Sequence, residues 1–280
     1  MRWTLSVERG RYLGRLLSAS KGLLEDCMIA DPQMNAVRRI VKTLGPIEGA
    51  AYIVGVALVS YMLSARGEEH WRLAAEYAGA PVRDALTRFV LESPSLGRFR
   101  RIRERRVRRY AGTTMRRILS NYSVYALDPR KLWRDLAVDL GARLESKTVA
   151  FAVKMFCYAL KASGLQCATP TDVPVPVDYR VCLISLTSML VRGDARDLKS
   201  AARELRATAS TIVRRGWDVV AAEAGVAPLD LDALLWLLGG SIEKGGFEME
   251  ESLRAFGSIL ARSLEPPEES LIRELLLGLQ

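Results

Sequence analysis

The sequence predicts an all-α protein, on three observations. Most segments of the 280 residues place apolar side chains three and four positions apart, which is the spacing of a helix with one buried face. No two alternating runs are joined by Asn-Gly or Asp-Gly, the dipeptides that mark a β-hairpin. Asp31-Pro32 and Asp128-Pro129 each have the form of an N-cap followed by proline at the first helical position.

The first part of the chain is predicted to form helices around an apolar core. Asp31-Pro32 opens a helix that stops at Gly45-Pro46, and a core helix follows from about residue 48 to residue 63. Shorter helices are predicted near 69–77 and 81–91. The apolar part of the core helix is shorter than the roughly 20 residues that span a bilayer, and the charged N-terminus does not have the form of a signal peptide. We therefore expect a cytoplasmic protein without a membrane segment.

The segment from Ser93 to Arg109 carries the densest charge of the chain. Eight arginines stand within twelve positions, against the single acid Glu104, and they are Arg98, Arg100, Arg101, Arg103, Arg105, Arg106, Arg108 and Arg109. They cannot all share one face of a helix, so we expect some to be solvated and others to contact phosphates. The formal net charge of +9 likewise favours an anionic partner such as nucleic acid.

A helix, hairpin and helix are predicted next. Asp128-Pro129 opens a helix that stops at Gly141, and after a short hinge another helix begins at Lys147. This arrangement can hold a DNA backbone when its amides face a phosphate, although the spacing alone is a weak signal. The segment 167–178, CATPTDVPVPVD, contains three prolines and must be extended, and it brings Asp178 to the start of a further helix. The last helices are predicted near 197–215, 217–224, 229–238 and 249–264, and a short piece follows Pro266-Pro267.

Cysteine and histidine usage argues against a metal site or an iron–sulfur cluster. The four cysteines form no CxxC pair, and they are Cys27, Cys157, Cys167 and Cys182. His70 is the one histidine, and we expect it to be structural and the thiols to be buried and reduced. Neither a phosphate-binding loop nor a GxGxxG, GxSxG or HExxH motif occurs.

Lys147 and Asp178 are the candidate catalytic pair, because each stands at a predicted helix N-terminus. The positive end of the helix dipole favours the neutral amine that a lysine nucleophile requires, whereas the ordinary alternative is a solvated lysine at a helix corner. Asp178 can cap its helix, or it can stabilise a sugar cation as a glycosidic bond breaks. Phe151 lies one turn after Lys147, and Trp236 one turn after Asp232, so a flipped base could stack there. The alternative for both rings is a place in the core.

Four stretches, in this order, are similar to one family. ADPQMNAVRRIVK, ARGEEHWRLAAEYAG, ESKTVAFAVKMFCYAL with PVPVDYRV, and LDLDALLWLLGG resemble the archaeal 8-oxoguanine DNA glycosylase/lyase family, a branch of the helix-hairpin-helix DNA glycosylases. The similarity runs from about residue 25 to residue 240. It implies that Lys147 attacks the sugar C1′, that Asp178 supports the departing base, and that the chemistry needs neither metal nor organic cofactor. The base pocket that it implies consists of Gln33, Trp71, Phe151, Asp232 and Trp236.

The resemblance implies two helical subdomains with the active-site cleft between them. Within one glycosylase unit spanning 1–280, we expect a central subdomain of residues 75–168 that contains the hairpin, and a second one of residues 1–74 with 169–280. The expected partner is DNA that contains 8-oxoguanine or abasic sites, and the expected state is a monomer. A glycosylase for another damaged or mismatched base, and a noncatalytic helical nucleic-acid-binding protein that does not cleave strands, are the alternatives.

Overall fold

The prediction of an all-α protein is confirmed by the computed structural model, which describes residues 3–193 and 197–279. Two-residue strands, β1 (Thr4–Leu5) and β2 (Val191–Arg192), pair antiparallel. The helices are α1 (Val7–Ser18), α2 (Gly22–Ala30), α3 (Pro32–Val59), α4 (Gly67–Tyr77), α5 (Val82–Glu92), α6 (Arg100–Gly112), α7 (Thr114–Ser120), α8 (Tyr122–Leu127), α9 (Pro129–Leu140), α10 (Lys147–Ala162), α11 (Tyr179–Thr187), α12 (Leu198–Thr208), α13 (Ser210–Ala224), α14 (Asp232–Lys244), α15 (Met249–Leu260) and α16 (Pro266–Leu275).

The chain divides into two compact units. The continuous unit is Pro32–Val173, and the discontinuous unit comprises Met1–Asp31 and Pro174–Gln280. The first boundary therefore lies at Asp31, whereas we expected it near residue 74. The physical reason is α3, which packs along α10 and against α4, α5, α6 and α7, so that residues 32–59 belong to the core of the continuous unit.

Helix α3 is the central helix of the continuous unit. It bends at Gly45, where φ is 79° and Pro46 follows, so the predicted stop at Gly45-Pro46 is a kink between two helical pieces. By length and composition alone α3 is apolar enough to cross a membrane, but every residue from Gly49 to Val59 is buried within the unit. Gly55 permits the closest approach, because a Cβ at this position would lie 2.3 Å from Cδ2 of Leu86. The apolar piece is a core helix, as predicted, and it ends at Val59 rather than at residue 63.

Arg103 of α6 is fully buried and joins the end of α3 to the segment that precedes α6. Its guanidinium donates hydrogen bonds to the carbonyl oxygens of Val59, Leu96, Arg98, Tyr61 and Met62. Its positive charge also lies over the ring of Tyr61, 4.7 Å from the centroid. Burial of a charge is tolerated here because backbone carbonyls replace the lost water. One member of the arginine-rich segment is therefore structural.

The discontinuous unit has its own apolar core. Helix α1 packs on α13, and α11 packs on α12 and α14. Within this core, the indole Nε1 of Trp217 donates a 2.8 Å hydrogen bond to Ser185. The pattern placed a helix break at residue 216, but the chain breaks at Ala209, between α12 and α13. Gly216 instead allows close packing, since a Cβ there would lie about 3 Å from side-chain atoms of Leu5 and Leu190.

Candidate active site

The hairpin that precedes Lys147 is exposed at residues 143–145. Gly141 ends α9 in the left-handed conformation, with φ of 59°, as the predicted stop required. Trp133 fixes the hairpin from α9, because its Nε1 donates a 2.8 Å hydrogen bond to the carbonyl of Leu144. Within the described residues, the successive amides of residues 143, 144 and 145 donate no hydrogen bond. Unsatisfied successive amides are suited to holding a phosphate.

Lys147 is the first residue of α10, as predicted, and it is half-buried. The next residue, Thr148, is fixed by α6, because Nη2 of Arg106 donates a 2.7 Å hydrogen bond to the Thr148 hydroxyl. Burial lowers the pKa of Arg106 from its ordinary value, and the ring of Tyr61 lies 5.9 Å from its guanidinium carbon. A second arginine of the dense segment thus holds the turn of α10 that carries Lys147.

Three predicted pocket residues lie with Lys147 in the continuous unit. Gln33, Trp71 and Phe151 are all buried, and the rings of Trp71 and Phe151 meet edge to face at a centroid distance of 6.1 Å. Gln33 lies near the start of α3, which packs along α10, and so the same helix pair carries Gln33, Lys147 and Phe151. The rings can present aromatic surface to a base, and Gln33 can present an amide.

Lys154 is a member of this group that the sequence patterns did not single out. It stands two helical turns after Lys147 and is buried, with its Nζ 3.3 Å from Oε1 of Gln33. The rings of Phe151 and Tyr158 flank the same ammonium, at 5.7 Å and 4.7 Å. Since an ammonium only donates, its contact orients the Gln33 amide with the oxygen toward α10. The sequence feature that could have identified Lys154 is a lysine inside an otherwise apolar helix, on the same face as Lys147.

The other three predicted residues belong to the discontinuous unit. Asp178 is half-buried and caps α11, since its carboxylate accepts a 3.1 Å hydrogen bond from the amide of Val181. Asp232 is buried at the first position of α14, a helix that packs against α11, and Trp236 follows one turn later. Arg180 covers the Trp236 ring at 4.6 Å and pairs with Glu243. The packed helices α11 and α14 thus hold Asp178, Asp232 and Trp236.

His70 and three of the four cysteines are buried in the protein. His70 is fully buried, between the hydroxyls of Ser60 and Ser95. None of the four cysteines forms a disulfide, and Cys167 is half-buried, so the expectation of four buried thiols holds for the other three only. Over residues 3–193 and 197–279, no three His, Cys, Asp or Glu side chains are grouped so that they could hold a metal ion.

Comparison with known proteins relates this chain to one family. The family model AGOG, described as N-glycosylase/DNA lyase, matches residues 16–273. An N-glycosylase/DNA lyase of Pyrobaculum aerophilum is 34% identical over 221 residues, which are 77% of this chain and 79% of that protein. One of Methanopyrus kandleri is 33% identical over 223 residues, 77% of this chain and 84% of that protein. The crystal structure of the 8-oxoguanosine-complexed 8-oxoguanine DNA glycosylase of Pyrobaculum aerophilum is similar with a TM-score of 0.72 at 27% identity, covering 96% of this chain and 97% of that one.

Proposed function

This chain belongs to the AGOG family of N-glycosylase/DNA lyases, and on that premise we propose that it removes 8-oxoguanine from DNA and then cleaves the strand. The observation that carries the proposal is the surroundings of Lys147. An amine at the start of α10 follows a hairpin whose amides can hold a phosphate, and the buried ring of Phe151 stands one turn further along the same helix. Amides that suit a phosphate, an amine and an aromatic ring thus occur within a few residues.

The first step is base release. The lone pair of the Lys147 amine forms a bond to C1′ of the flipped nucleoside, and the bond from C1′ to N9 breaks. The base leaves with that electron pair and takes up a proton. Asp178 supplies negative charge as positive charge develops on the sugar. The hydrogen bond that it accepts from the Val181 amide holds the carboxylate in place.

The second step breaks the strand. The bond from C1′ to O4′ then breaks, O4′ takes up a proton that the lysine nitrogen loses, and a protonated imine joins Lys147 to C1′. Removal of a proton from C2′ then forms a double bond between C2′ and C3′ and expels the 3′ phosphate. Water hydrolyses the imine and restores the lysine, so this lysine chemistry requires neither a metal nor an organic cofactor.

The pocket residues have the side chains needed to recognise an oxidised purine. Gln33 would read the base edge by hydrogen bonds, and Lys154 would fix which end of its amide faces α10. Trp71, Phe151 and Trp236 would supply aromatic rings, and Asp232 a carboxylate. We further propose that the enzyme acts as a monomer in the archaeal cytoplasm, on DNA with 8-oxoguanine or abasic sites.

Borohydride trapping tests the nucleophile. Reduction of the imine should link the native protein covalently to a duplex with one 8-oxoguanine, and Lys147→Gln should give no adduct. Lys161→Gln is the matched control, because Lys161 is an exposed lysine at the end of the same helix. It should trap like the native protein. Failure of the native protein to trap, or an adduct with Lys147→Gln, would overturn the proposal.

Asp178→Asn separates the charge of Asp178 from its capping role. Asparagine is as good an N-cap as aspartate, so α11 should remain capped while the negative charge is lost. We expect single-turnover base release to slow by roughly 10²–10³-fold, the effect of removing one preorganised electrostatic group, while DNA binding is retained. Near-normal base release by this variant would leave Asp178 a cap only.

The lesion is tested by competition. Duplexes with 8-oxoguanine, an alkylated purine or a mismatched thymine should compete for cleavage, and 8-oxoguanine should be processed first. Preference for another lesion would favour the glycosylase alternative, and absence of strand cleavage would favour a noncatalytic binder.

A further inference from the structure

The arginines of α6 have different surroundings, although they appear as one charge cluster in the sequence. Arg103 is buried among backbone carbonyls, and Arg106 is hydrogen-bonded to Thr148. Arg108 is exposed and forms an ion pair with Glu104, one turn earlier on the same helix. These three side chains have identifiable partners within the protein.

Arg109 has a different environment, at the last turn of α6. It is exposed, and its side chain forms no ion pair or hydrogen bond with the residues at 3–193 and 197–279. Its guanidinium lies against Gly141, since Nη1 and Nη2 are 3.7 Å and 3.9 Å from the place of a Cβ on that glycine. The absence of a side chain on Gly141 lets the guanidinium approach the backbone at the start of the hairpin.

Arg106 and Arg109 are three positions apart and therefore share one face of α6. Arg106 contacts the end of the hairpin motif at Thr148, and Arg109 contacts its beginning at Gly141. The amides of residues 143, 144 and 145 lie between these two points along the chain and donate no hydrogen bond within the described residues. An exposed cation thus stands beside a loop whose own donors suit an anion.

We propose that Arg109 binds a backbone phosphate of the DNA strand held by the hairpin. The planar guanidinium can donate two parallel hydrogen bonds to phosphate oxygens, and its exposure leaves it little desolvation to overcome. Arg106, which is already engaged by Thr148, positions α6 rather than contacting DNA. The inference rests on the proposed function, because that function places DNA against the hairpin.

The experiment compares the neutral variants Arg109→Gln and Arg108→Gln. Their affinities for a duplex with one tetrahydrofuran abasic-site analogue, which the enzyme cannot cleave, are measured by fluorescence anisotropy over a range of potassium chloride concentrations. Arg109→Gln should bind roughly tenfold more weakly, as expected for loss of a hydrogen bond to a charged group. Its plot of log affinity against log salt should be shallower by about 0.9, the value for one phosphate contact. Arg108→Gln removes an equal charge from the same helix and should change both quantities much less.

Equal affinities and equal salt slopes for the two variants would overturn the inference. Arg109→Lys provides a second check, because it keeps the charge but loses the planar guanidinium. It should keep the salt slope while binding DNA more weakly than the native protein.

Borohydride trapping of the native protein distinguishes failure of the catalytic proposal from failure of the proposed phosphate contact. If the native protein traps but the two glutamine variants are alike, only the role of Arg109 fails. If it does not trap and Arg109→Gln still has a shallower slope, the catalytic proposal fails and the phosphate contact stands.

Discussion

His70 should remain neutral far below the pH at which an ordinary histidine becomes charged. Ser60 donates its hydroxyl proton to the carbonyl of Val56, so its oxygen accepts from Nε2 of His70 at 2.8 Å. Nδ1 then carries no proton and accepts from the hydroxyl of Ser95 at 2.9 Å. Burial and the positive charge of Arg103 lower the pKa of His70 to about 3.

The shift predicts how stability depends on pH. The pKa of His70 is depressed in the folded state, so below a pH of about 6.5 the unfolded chain binds a proton on His70 that the folded protein does not bind. The stability that depends on neutral His70 is therefore complete above this pH and is lost as the pH falls toward about 3. The loss is about 1.4 kcal/mol per pH unit, or about 3 kcal/mol between pH values of about 6 and 4.

Nuclear magnetic resonance can test this directly, because His70 is the single histidine of the chain. We expect its C2 proton not to titrate down to pH values of about 4, and its long-range nitrogen spectrum to show a proton on Nε2. The difference in free energy of unfolding between the native protein and His70→Asn should also shrink by about 3 kcal/mol over that range. A titration midpoint near 6.5 in the folded protein, or a constant difference, would refute the reasoning.

Two further predictions concern packing and thiol reactivity. Gly55→Ala should lower the free energy of unfolding by about 1–3 kcal/mol in urea denaturation, because its Cβ would overlap Leu86. The control Gly112→Ala, whose Cβ would meet no atom within 4 Å, should not destabilise the protein. Equal effects of the two substitutions would contradict this prediction. Burial and the neighbouring Asp26 raise the pKa of Cys27, so iodoacetamide should label the half-buried Cys167 first and Cys27 only after unfolding, as followed by mass spectrometry. Rapid labelling of Cys27 in the native protein would be inconsistent with this environment.

Local signals predicted the helix starts at Pro129 and Tyr179. Asp128 and Asp178 each cap a helix through a backbone amide, and these interactions depend on residues only a few positions away. The break at Ala209 and the unit boundary at Asp31 depend on packing between segments far apart in sequence. Gly216 illustrates the difference, because a glycine in the pattern suggests a helix end, whereas here it makes room for Leu5 and Leu190.

The candidate site was predictable where one helix carries two of its residues. Lys147 and Phe151 are related by the helical period alone. Lys154 lay on the same face, but its contact with Gln33 joins residues 121 positions apart and could not be seen without α3. Likewise, eight arginines in twelve positions are equivalent in the sequence. Only tertiary structure separates buried Arg103 from exposed Arg109, because their roles depend on Val59 and Gly141.

The division of the chain has a consequence for its synthesis on the ribosome. Because the continuous unit ends at Val173, its whole sequence is made before α13 and α14, on which α1 and α2 pack. At a translation rate of about 5–20 residues per second, about 10–40 s pass between the synthesis of α1 and the synthesis of α13. Throughout this time the apolar faces of Leu13, Leu17 and Leu23, buried in the finished protein, lack their partners. The nascent N-terminal helices are therefore the segment for which a chaperone has the longest opportunity to act.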